Sequence, residues 1–87
     1  MAVYISGTVT IGTTPTAIAS PGDCLTMLIS NGAGATVFLG GANVTTATGL
    51  PVLASASATV PVVGEASATL YGIVASTTSN VSYLYAV

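Results

Sequence analysis

Short apolar segments of period two, cut apart by Gly, Pro and Asn, constrain the fold of this chain more than any other feature. Val3, Ile5, Val9 and Ile11 alternate with Tyr4, Ser6, Thr8 and Thr10, the pattern of a strand with one face buried. Gly7 falls on the apolar side and predicts a bulge. Gly12 to Pro15 turns the chain into a short strand over residues 16–19, and Ser20-Pro21-Gly22-Asp23 turns it again. In residues 24–30, Leu25, Met27 and Ile29 lie on one face and Thr26, Leu28 and Ser30 on the other. Asn31-Gly32 suits a type I′ turn, so residues 25–30 are expected to pair with residues 35–39 as a hairpin.

The stretch from Val37 to Val52, VFLGGANVTTATGLPV, reads as the centre of the chain. Val37-Phe38-Leu39 breaks at Gly40-Gly41, and a strand-like piece over residues 43–46 breaks at Gly49 before Leu50-Pro51. Paired glycines mark a turn or bulge with positive φ, or a place of close approach. Pro51 fixes its own φ and holds Leu50 extended. The expectation is a connection of fixed shape between two halves of the domain.

Beyond it, Ala56, Ala58, Val60 and Val62 alternate with Ser55, Ser57, Thr59 and Pro61. Pro61 restricts this segment to a sheet edge or a strand end. Val63-Gly64-Glu65-Ala66 turns the chain into residues 68–75, apolar on both faces around Tyr71-Gly72-Ile73. Residues 76–80 form the last turn and residues 81–87 the last strand. In that strand Val81, Tyr83, Tyr85 and Val87 lie on one side, Leu84 and Ala86 on the other. About seven to eight short antiparallel strands of this spacing predict an all-β domain over residues 1–87, a small β-sandwich or barrel.

The charge balance removes whole classes of function. The 87 residues contain no Lys, Arg or His, and their only acids are Asp23 and Glu65. Nucleic-acid binding rests on phosphate neutralisation by Lys and Arg, and adhesion to anionic membranes needs the same cations. The most apolar window, residues 50–75, is interrupted by Pro51, Pro61, Gly64 and Glu65, so no membrane helix is expected. The start, MAVYISGTVT, has no basic region of a signal peptide. Synthesis in a cytoplasm without secretion is the expectation. One cysteine, Cys24, allows no internal disulfide, and without imidazole no metal site or cofactor is expected. A domain this small buries only about two-thirds of its chain surface. Association is the remaining source of stability.

No catalytic constellation is present. Ser and Cys nucleophiles want a base, and neither His nor Lys exists. Asp23 and Glu65 fall in expected turns, where acids are solvated rather than paired for glycoside hydrolysis. Gly32-Ala33-Gly34 lacks the Lys and the helix of a phosphate loop. Cys24 reads as a small buried hydrophobe, and the sequons at Asn43 and Asn80 as chance matches. Tyr4, Tyr71, Tyr83 and Tyr85 could line a sugar-binding face, although packing is the simpler reading. Thr8-Val9-Thr10 and Thr45-Thr46 lack the regular repeat of an ice-binding array.

One ordered set of residues resembles a known family. Asn31-Gly32, Val37-Phe38-Leu39-Gly40-Gly41, Val44-Thr45 and Gly49-Leu50-Pro51 are followed by Leu70-Tyr71-Gly72-Ile73, Ala75, Val81 and Leu84. This resembles the small capsid decoration, or cement, proteins of tailed bacteriophages, over the chain from Asn31 onward. The resemblance implies a non-enzymatic virion β-domain, a homotrimer seated on the outer surface of the major capsid protein. A phage tail or fibre module, with or without glycan binding, is the alternative it implies. On this expectation Asn31, Gly32, Gly40, Gly41, Gly49 and Pro51 shape the turns and the connection. Phe38, Tyr71, Ile73, Tyr83, Leu84 and Tyr85 supply the interface.

Overall fold

The period-two segments pair into two antiparallel sheets in the computed structural model, which describes residues 3–19, 26–61 and 69–86. The strands are β1 (Tyr4–Ile11), β2 (Thr16–Ala19), β3 (Thr26–Asn31), β4 (Val37–Gly40), β5 (Leu50–Val52), β6 (Ser57–Pro61), β7 (Leu70–Ile73) and β8 (Ser79–Ala86). The first sheet has the order β1-β8-β3-β6 and the second β2-β7-β4-β5. The two pack together as a small β-sandwich, and the described residues contain no helix.

The core forms where the apolar faces meet. The first sheet contributes Ile11, Met27, Ile29 and Val81, the second Ile18, Val37, Leu39 and Val52, and Val74 follows directly after β7. All are buried, and at roughly 25 cal/mol per Å² of apolar surface their burial is the main driving force for closing the sandwich. Pro61 lies on β6 at the edge of the first sheet, as its missing N–H requires.

Four local expectations are corrected. Gly7 makes no bulge: β1 and β8 pair without interruption from Tyr4↔Ala86 to Ile11↔Ser79. Gly7 instead leaves room for Tyr83 opposite it, since a Cβ there would stand 2.5 Å from the phenolic oxygen. The bulge lies elsewhere, between Ala17 and Ala19 on β2. Asn31-Gly32 is not a hairpin turn, because β3 pairs with β6 and β8 while β4 pairs with β5 and β7 in the other sheet. Residues 43–46 form turns rather than a strand. Finally, residues 41–49 do not link two halves of the domain. They close a hairpin within the second sheet, with Val37↔Val52 and Leu39↔Leu50 in register.

The last strand starts at Ser79, earlier than its apolar pattern indicates. The turns expected at residues 20–23 and 63–66, together with Cys24, Asp23 and Glu65, lie outside the described residues.

Candidate interaction surfaces

Asn31 ends β3 with its side chain turned inward, only 3% exposed. Its amide nitrogen donates to the carbonyls of Ala35 at 2.8 Å and Val52 at 2.9 Å. Its amide oxygen accepts from the Ser79 hydroxyl at 2.6 Å. One side chain thereby ties β3 and β8 of the first sheet to β5 of the second. Gly32 continues the arch: its N–H donates to the Asn80 carbonyl, and its own carbonyl accepts from Ser55 N–H, each at 2.8 Å. A Cβ on Gly32 would stand 3.0 Å from the Asn80 carbonyl oxygen, so the glycine is set by close approach of two backbones.

The β4–β5 loop is held by its threonines. The Thr45 hydroxyl oxygen accepts from the N–H groups of Ala47 and Thr48, and that of Thr48 accepts from Thr45 N–H at 3.1 Å. Val44 folds back beneath them and is buried, separate from the central core cluster. Gly40 and Gly49 form its seat: a Cβ on either would come within 2.7 and 2.9 Å, respectively, of a Val44 methyl. Neither Gly40 nor Gly41 occupies the left-handed region, and nothing lies within 4 Å of where a Gly41 Cβ would be. The expected positive φ is therefore absent at this pair. It falls on Ser55 and Thr77, both at 61°. Beside Val44 the loop leaves an open depression of about 300 Å³, lined by Gly40, Gly41, Ala42, Asn43 and Thr48 as well. It offers an amide, a hydroxyl and backbone groups, and no titratable side chain.

The two outer faces of the sandwich differ in chemistry. On the second sheet, Pro51, Phe38 and Ile73 form one cross-strand row, and Gly40, Tyr71 and Ala17 the next. None of the six except Tyr71 carries a side-chain polar atom. On the first sheet, Thr8, Ser82, Ser30 and Ser57 stand opposite one another across all four strands. The Thr8 and Ser82 hydroxyls lie 3.3 Å apart, and Thr10 donates to the Asn80 side-chain oxygen at 2.8 Å one row away. The neighbouring row is Ser6, Leu84, Leu28 and Thr59, and both leucines are exposed.

The residues expected to form one interface are thus distributed. By register Phe38, Tyr71 and Ile73 share the outer face of the second sheet, where Phe38 and Tyr71 are half-buried and Ile73 is buried. Leu84 lies on the outer face of the first. Tyr83 and Tyr85 pack against the core, their rings stacked at 5.9 Å. Tyr4, 75% exposed, stands alone near the start of β1. The hydroxyl row escaped sequence reasoning: each Ser or Thr is visible in its own segment, but their alignment depends on the order and register of four strands. No family model, no curated protein and no solved structure matches the chain.

Proposed function

We propose that this chain is a non-enzymatic structural protein of a tailed-phage virion, one that decorates the outer surface of the major capsid protein and stabilises the head. The observation that carries this reading is the pair of outer faces, one hydroxyl-bearing and one apolar, with no charged side chain among the described residues of either. Faces of that kind bind by burial and hydrogen bonding rather than by ion pairs. The sequence resemblance supplies the class of partner, and the β-sandwich agrees with the fold it implies. Many copies on a symmetric lattice would convert a weak single contact into firm attachment.

The competing reading is a tail or fibre module that holds glycans on a tyrosine platform. Its platform lacks support, since no described face gathers the four tyrosines. Adding purified protein to heads and to tails stripped of it, then imaging both, tests the proposal. Added density on the outer head surface is expected. Density confined to tails, or none on either, would overturn it.

A further inference from the structure

Each sheet ends in two edge strands, and an edge offers unpaired N–H and C=O groups to any other strand. The four edges here are β1 and β6, β2 and β5. Three are blunted. β6 carries Pro61, β5 has three residues with Pro51 in the middle, and β2 carries the bulge. β1 has no such device: YISGTVTI runs for eight residues without Pro, charge or register shift. Among the described residues it pairs with β8 alone. Tyr4 and Ile5, at its start, are 75% and 37% exposed, and Val3, just before it, is 53% exposed.

We propose that β1 is the site at which a second copy of this chain pairs edge to edge, antiparallel, joining two four-stranded sheets into one of eight. Identical strands related by a two-fold axis are self-complementary, so this contact requires no other component. Opposed residues in an antiparallel pair share a face, which places the axis on Gly7 or on Thr8. Ile5 then meets Val9 or Ile11 of the second copy on the apolar side, and Ser6 meets Thr8 or Thr10 on the hydroxyl side. A slip of one residue would set apolar positions against hydroxyl ones. With no Lys, Arg or His in the chain and no acid on β1, no like charges oppose the approach. When the axis lies on Thr8, the row Thr8–Ser82–Ser30–Ser57 continues unbroken across all eight strands. The contact closes at two copies, whereas a trimer would need β1 to meet a different edge, and β6 of the same sheet carries Pro61.

Sedimentation of the full chain at micromolar concentration, with circular dichroism to report folding, tests the contact apart from any virion role. Thr8 is exposed on the outer face, so Thr8→Lys and Thr8→Glu should each fold. In the dimer each would set like charges side by side. The unsubstituted protein and Thr59→Lys, altered on the far edge, should sediment as dimers. Thr8→Lys and Thr8→Glu should each dissociate at least about tenfold more readily, and mixing them should restore a heterodimer. As a second measurement, amide exchange in β1 of the unsubstituted protein should quicken on dilution while β8 stays protected. A monomer or trimer without substitution, a dimer untouched by either charge at Thr8, or concentration-independent exchange in β1 would overturn the proposal.

Discussion

Asn31 joins strands of both sheets through one side chain. Its amide offers two donors and an acceptor, and all three functions are used in a buried site. Removing one partner from such a network leaves the others unpaired away from water, at about 1–3 kcal/mol per group. Asn31→Ala should therefore cost on the order of 3 kcal/mol in urea unfolding. Asn31→Asp should do no better, because a carboxylate would face the carbonyls of Ala35 and Val52 with no hydrogen to donate. A loss below about 1 kcal/mol for both would remove Asn31 from this role. Thr77 is the converse case. A β-branched residue at φ 61° is strained by about 1–2 kcal/mol. Thr77→Gly should raise the melting temperature, the relief exceeding the entropy lost by glycine; a lower melting temperature would contradict the strain.

Among the elements, the β4–β5 hairpin shows why adjacent glycines need not be equivalent. Gly40 faces the Val44 side chain, while Gly41 faces open space. Gly40→Ala should cost about 1–3 kcal/mol through overpacking, and Gly41→Ala should stay within about 0.5 kcal/mol of the parent. Val44→Ala should reduce the penalty of Gly40→Ala, since the clash is between those two residues. Thermal melts of the two single variants and the double variant would show it. Equal penalties at the two glycines would mean that backbone conformation, not space, selects them. The β1–β8 pair follows the same logic: Gly7 is there for the Tyr83 ring, which occupies the volume a side chain would take.

For the whole molecule, the absence of cations decides how attachment responds to its medium. The two side-chain acids could accept only a few rim ion pairs, worth about 0–1 kcal/mol each. Contact through apolar and hydroxyl faces is insensitive to screening. On the proposed decoration role, occupancy on heads should change little between about 0.05 M and about 1 M sodium chloride, over which the Debye length falls from roughly 14 to 3 Å. Urea, which solvates apolar and peptide groups, should release the protein. The fraction retained after each wash is the measurement. Release by salt alone would assign attachment to Asp23, Glu65 or a chain terminus.

Local pattern and composition determined the all-β class, most strand positions and the edge location of Pro61. Those properties depend on residue type and on alternation within a few neighbours, which the chain displays directly. Tertiary structure decided the rest. Asn31-Gly32 has the local chemistry of a hairpin turn, yet β3 and β4 enter different sheets, and the Asn31 side chain bonds Val52 and Ser79 far along the chain as well as nearby Ala35. Gly7 reads as a bulge until Tyr83, far along the chain, is brought opposite it. The separation of Phe38, Tyr71 and Ile73 from Tyr83 and Tyr85 follows from strand order, as does the alignment of four hydroxyls in one row. Register between distant strands is set by packing of the assembled core, and no segment encodes it alone.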